Sequence, residues 1–132
     1  MRILIADDHS LVRSGIRLIL ESHDGFEVCG EAANGLEAVQ QALGYGPDLV
    51  LLDISMPFMN GIEAALEIID HRPDIPILVV SIDDYAAYSD ALKDIAIKGY
   101  VTKARLGRDL IPAVEAVAHG QTYFSNGAQM LC

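Results

Sequence analysis

The stretch Leu49-Val50-Leu51-Leu52-Asp53 constrains the fold more than any other. Four apolar residues end abruptly in a carboxylate, and a turn containing Pro57, Asn60 and Gly61 follows. A short apolar run bounded by turn residues reads as a strand buried on both faces. An acid at its carboxyl end stands where open α/β sheets bind ligands.

The rest of the chain repeats the pattern. Arg2 to Ala6 reads as a first strand closed by Asp7-Asp8, and the apolar spacing from Leu11 to Leu20 predicts a helix that Asp8 or Ser10 can cap. Phe26 to Ala33 alternates as a second strand, and Asn34-Gly35 turns the chain into a second helix that Gly44, Gly46 and Pro47 end. A third helix carries Ile62 to Ile69, and Pro76 to Val80 is a fourth strand ending in Ser81. A fourth helix with a thin apolar stripe is expected from Asp83-Asp84 through Ile95, stopped by Gly99. Tyr100 to Thr102 is a short fifth strand ending in Lys103. The last helix lies within Leu106 to His119, with Pro112 expected in its first turn, where a missing N–H is harmless. Tyr123-Phe124 are expected to pack back on it.

Five strand–helix alternations with short crossovers predict an α/β fold. The sheet is five-stranded, parallel and doubly wound, of flavodoxin-like order 2-1-3-4-5, with five helices. The 132 residues suffice for one compact domain. Nineteen acids against nine bases give a net charge of −10, which repels a phosphate backbone, so DNA contact would need another segment or chain. Two cysteines form no disulfide framework or metal spacing: Cys29 reads as a small packed hydrophobe and Cys132 as exposed. No stretch reaches the length of a membrane span and no signal peptide is evident, so a cytoplasmic location is expected.

In that topology the strand ends share one rim: Asp7, Asp8, Asp53, Ser81 and Lys103. Three close carboxylates stay ionised together only if cations neutralise them. Lys103 supplies one charge, and a hard divalent ion such as Mg²⁺ suits the oxygen donors. Aspartate forms acyl phosphates, so this set favours phosphoryl transfer, with Ser81 donating to a phosphoryl oxygen.

These residues carry a family resemblance. Asp7-Asp8, Asp53 with Met56-Pro57 and Gly61, Ser81, and Gly99-Tyr100-Val101-Thr102-Lys103 resemble the receiver domain of bacterial two-component response regulators, from Arg2 to about Ser125. The resemblance implies that Asp53 accepts a phosphoryl group from a histidine kinase. It implies Asp8 as a direct Mg²⁺ ligand, Asp7 acting through water, and Asp53 with the Ser55 backbone carbonyl completing the set. Ser81 and Lys103 would contact the phosphoryl group. Tyr100 resembles the family's aromatic switch, swinging inward as Ser81 moves. Asp83 and Ser55 resemble modulators of phosphate lifetime, the sign for Asp83 being open. His9 reads as a rim or capping residue, not a ligand.

Phe26 to Ala32 and Ala116 to Ser125 are similar to regulators with a LuxR-type helix-turn-helix output domain. This implies a receiver at residues 1–120 and a tail or linker start at 121–132; a receiver fragment and a natural single-domain receiver both fit. Dimerisation on phosphorylation is implied as well. Ala104 after Lys103 departs from the common proline. A haloacid-dehalogenase-like phosphatase would want an aspartate where Ser55 stands. A pseudo-receiver would not need all five site residues. A flavin binder would want hydroxyl-rich or basic loops where these are acidic.

Overall fold

A computed structural model describes residues 1–124. The strands are β1 (Arg2–Ala6), β2 (Glu27–Ala32), β3 (Leu49–Asp53), β4 (Ile77–Ser81), β5 (Gly99–Thr102) and β6 (Tyr123–Phe124). The helices are α1 (Ser10–Glu21), α2 (Gly35–Tyr45), α3 (Gly61–His71), α4 (Tyr85–Leu92) and α5 (Leu106–Ala118), with a 3-10 turn at Lys103–Arg105. The sheet order is β2-β1-β3-β4-β5-β6 and every pairing is parallel. The expected order is present, with a sixth strand added at the edge. No helix among the described residues is long and apolar enough to cross a membrane.

Alternation along the strands builds two cores. Leu4, Val50, Leu52, Val79 and Tyr100 face one way, against Ala38 and Ala42 of α2, Ala64, Ala65 and Ile68 of α3, and Leu92 of α4. Ile3, Ile5, Leu49, Leu51, Leu78, Val80 and Val101 face the other way, against Ile16 and Leu20 of α1 and Leu110, Ala113, Val114 and Val117 of α5. Covered on both faces, β3 and β4 are buried at every residue, which is why they read as apolar runs. A register shift between Ile3 and Leu4 skips Cys29, which packs partly buried on the first core.

Local details differ from expectation for identifiable reasons. Neither Asp8 nor Ser10 caps α1; His9 holds the N-cap position without a side-chain bond, because the nearby carboxylates face the rim. Asn34 and Asn60 are helix N-caps, accepting from Glu37 N and Glu63 N, and Glu63 returns a bond to the Asn60 amide. The fourth helix stops at Leu92, its only buried residue, so its thin stripe supports just two turns and Ile95 lies beyond it. The 3-10 turn at Lys103 runs straight into α5, so Pro112 falls inside that helix and not in its first turn. The described start of the tail forms β6: Tyr123 N donates to Lys98 O at 3.0 Å, and Gly99 permits the approach, since a Cβ there would lie 2.7 Å from Tyr123 O. Tyr123 does reach α5, its hydroxyl donating to Asp109 at 3.0 Å, whereas Phe124 packs edge-on against Tyr85 of α4.

Gly61 ties this packing to the end of β3. A Cβ at Gly61 would lie 2.0 Å from the Asp53 carbonyl oxygen, while its own N–H donates to Ile54 O at 2.8 Å. Backbone cannot yield as a side-chain tip does. Gly61→Ala is expected to lower stability by about 2 kcal/mol or more in urea unfolding. Gly44→Ala, where a Cβ meets nothing within 4 Å, is expected to change it far less.

Candidate functional site

The carboxyl ends of β1, β3, β4 and β5 bring the expected residues to one rim. Asp7 follows β1, Asp53 ends β3, Ser81 ends β4, and Lys103 follows β5. Asp7 and Asp53 are buried, Asp8 is partly open, and the Lys103 side chain is mostly covered. Lys103 Nζ lies 2.7 Å from Asp7 Oδ2 and 3.4 Å from Asp53 Oδ2, so one ammonium bridges two carboxylates.

Burial raises the Asp53 carboxyl to about 6, the Asp7 charge adds to the rise, and Lys103 offsets part of it. Burial also opposes the charge on Lys103, but Asp7 and Asp53 outweigh it and hold that amine above the usual lysine value. Asp53 Oδ1 accepts from Ser55 N at 3.3 Å, which bends the loop after β3 over the carboxylate.

The donor set suits a cation. Asp7 Oδ2 is buried and no well-aligned hydrogen bond reaches it, its contact with Lys103 being an ion pair by distance alone. Asp7, Asp8 and His9 place donor atoms within 4.8 Å of one another. His9 lies on the open side of this rim, at the N-cap of α1, with Nδ1 3.0 Å from Asp8 Oδ1 and 3.5 Å from Asp7 Oδ1. Asp53 stands outside that group and joins it through Lys103. Carboxylates at a partly open rim are hard donors for a divalent ion. A cavity of about 580 Å³ opens beside them and brings together Asp8, Ser55, Met56 and Tyr88.

Ser81 and Tyr100 meet through Asp83. The Asp83 N–H donates to Ser81 Oγ at 3.1 Å, and the Tyr100 hydroxyl donates to Asp83 O at 2.7 Å. The Tyr100 side chain is fully buried, and burial pushes its phenol up to about 12. Tyr88 donates to the Asp83 carboxylate at 3.2 Å, which gives α4 a hold on the same segment. No hydrogen bond joins Ser81 to Asp53 among the described residues; the register sets Asp53 beside Val80 and Ser81 beside Thr102.

Sequence reasoning passed over Arg13, Arg17 and Glu31. Arg13 Nε and Arg17 Nε bind the two oxygens of Glu31 at 3.0 and 2.8 Å. The available signal was a pair of arginines four apart on a helix of a strongly acidic chain.

The Asp53 shift fixes a pH dependence. A carboxyl that ionises near pH 6 when folded, against 3.8 as the ordinary value, binds more proton folded than unfolded between those limits. Stability then falls as pH rises through that window. With a chelator present, Asp53→Asn is expected to be more stable than the parent by about 1–3 kcal/mol at pH 7.5, the gap closing near pH 4. Urea unfolding across that range measures it, and equal stability at both ends would contradict the raised value.

Comparison with known proteins identifies the family. A family model described as the response regulator receiver domain matches residues 3–115. The chain is 40% identical over 125 residues to the oxygen regulatory protein NreC of Staphylococcus epidermidis, covering 93% of this chain and 57% of that protein. It is 35% identical over 125 residues to the response regulator GacA of Pseudomonas viridiflava, covering 95% and 58%. It thus spans under three-fifths of the length of these curated relatives. A LuxR-family two-component response regulator from Aurantimonas superposes with a TM-score of 0.91 at 32% identity, covering 98% of this chain and 92% of that one. The isolated receiver domain of RcsB from Salmonella enterica, determined with the phosphomimetic BeF3-, superposes at 0.88 with 29% identity, covering 99% and 97%. The chain belongs to the response regulator receiver domain family, and its relatives are two-component response regulators that include LuxR-family members.

Proposed function

We propose that Asp53 is the phosphoacceptor of a phosphorylation-activated switch. The observation that supports this best is Lys103 bridging Asp7 and Asp53 beside the Asp8 carboxylate. The donor is a phosphohistidine of a sensor kinase. A carboxylate oxygen of Asp53 attacks phosphorus, the bond to the imidazole breaks, and an acyl phosphate forms on Asp53. Lys103 is poised to pair with the phosphoryl oxygens, and its charge offsets what the transferring group gains. Ser81 is the hydroxyl donor on the next strand, and Tyr100 follows its position through Asp83.

Mg²⁺ is the cofactor in this reading, held by Asp8, Asp53 and the Ser55 backbone carbonyl, with Asp7 acting through water. It would supply electrostatic stabilisation of the phosphoryl oxygens. The chain is a switch and not an enzyme acting on external substrate, though it promotes formation and loss of its own aspartyl phosphate. The receiver occupies 1–120 and a linker begins within 121–132, β6 lying at the junction. The output is a helix-turn-helix domain elsewhere in the protein, which would carry the DNA contact that this acidic surface disfavours. The protein works in the cytoplasm, and phosphorylation favours a homodimer.

The test is intact mass after incubation with acetyl phosphate and Mg²⁺, beside an Asp53→Asn control. One phosphoryl group that is labile to base and absent from the control is expected. No gain in the parent chain, with beryllofluoride also failing to bind, would overturn the reading. A phosphorylated chain that stays monomeric in light scattering would remove the dimer from it.

A further inference from the structure

Asp7 is held by a different part of the fold at each polar atom. Its N–H donates to Ala32 O of β2 at 3.0 Å. Its Oδ1 accepts from His9 N at 2.8 Å, and its Oδ2 faces Lys103. Its carbonyl oxygen accepts from Arg13 Nη1 at 2.5 Å. That carbonyl belongs to the peptide joining Asp7 to Asp8, and a peptide is a rigid plane. The tilt of this plane decides where the Asp8 carboxylate points.

Arg13 has little freedom to choose another pose. Its side chain is 17% exposed, and its Nε donates to Glu31 Oε1 at 3.0 Å. The other Glu31 oxygen accepts from Arg17 Nε at 2.8 Å, and Arg17 Nη1 also reaches Glu21 at 3.1 Å. Burial works against the Glu31 charge, but the bonds from Arg17 and Arg13 outweigh it and hold that carboxyl below the usual range. A guanidinium fork suits this task, since one edge can meet a carboxylate while another meets a carbonyl.

We propose that Arg13, oriented by Glu31, is a positioning residue for the acid pair: by fixing the Asp7–Asp8 peptide it sets the affinity of the rim for a divalent cation. Arg13 acts through the Asp7 carbonyl and touches no reacting atom. The inference rests on the reading of this rim as a Mg²⁺-dependent phosphoryl site. It adds a residue on α1 and one on β2 that the strand-end description leaves out.

The experiment titrates Mg²⁺ into the folded chain by amide NMR for the parent, Arg13→Met, Arg13→Lys, Glu31→Gln and Ile16→Val. Urea unfolding of each variant runs alongside. Partners that orient metal ligands typically contribute tenfold or more in affinity, so Arg13→Met is expected to bind Mg²⁺ about tenfold more weakly. Arg13→Lys keeps the charge on a single nitrogen but lacks the fork that reaches Asp7 and Glu31 from separate nitrogens, and is expected to fall between. Ile16→Val trims the core on the same helix and is expected to lose stability at unchanged Mg²⁺ affinity. Without metal, the His9 amide should exchange faster in Arg13→Met, because its acceptor is Asp7 Oδ1.

Arg13→Met binding Mg²⁺ within about twofold of the parent would overturn the proposal. So would an equal loss in Ile16→Val, which would make the effect one of stability. If Arg13→Met does not fold, Arg13→Lys and Glu31→Gln decide, and parental affinity in both overturns it. A parent that binds no Mg²⁺ overturns the reading of the rim itself, and His9 exchange then still tests what Arg13 holds.

Discussion

One ammonium between two buried carboxylates holds the rim together. Burying like charges is costly unless an opposite charge is supplied at the same place. Lys103 does this for Asp7 and Asp53, and the strand order makes it geometrically available. Asp7 follows β1, next to β3, while Lys103 follows β5, two strands from β3. A long, flexible lysine spans that gap, whereas a shorter cation on β4 would carry its charge where Ser81 places a hydroxyl. The rest of the rim then divides by exposure. Asp53 is buried and its carboxyl is raised, while Asp8 stays partly open beside the cavity and His9. One acid is thus tuned by its surroundings and another is left accessible, though both are aspartates at strand ends.

The alternation of apolar strands and amphipathic helices was legible because burial on both faces removes polar residues from a strand until its last position. Leu49 to Asp53 and Ile77 to Ser81 show this directly. The rim was legible for the same reason: a polar residue ending such a run has only the sheet edge to occupy. What escaped is set by tertiary contacts without a local signature. Tyr123-Phe124 form a strand because Gly99 leaves room beside β5, a fact about two segments far apart in sequence. Pro112 lies inside α5 because the Lys103 turn runs on into the helix. The short fourth helix follows from a stripe that was visibly thin, yet Gly99 was given a stop that Leu92 already makes. Arg13 carried no motif at all, since its partners are a backbone carbonyl and a glutamate on another strand.

The segment after β4 joins the rim to the far edge of the sheet. Asp83 gives its N–H to Ser81, takes the Tyr100 hydroxyl on its carbonyl and takes the Tyr88 hydroxyl on its carboxylate. Tyr100 meets Tyr85 edge-on at 5.4 Å between centroids, and Tyr85 meets Phe124 at 5.3 Å. Contact is therefore continuous from the end of β4 to β6. Contact becomes coupling only where some element has two arrangements that both ends bias. The helix in the middle of this chain suits that part, since α4 has two turns and buries only Leu92 fully. Few buried apolar contacts mark the low-stability end of a fold, where an element shifts at least cost. A displacement of Ser81 would pull on the Asp83 amide and so act on the most weakly anchored helix. The strands beneath, buried on both faces, would hold their register. Aromatic contacts at Tyr85 would then carry the change to Phe124 of β6.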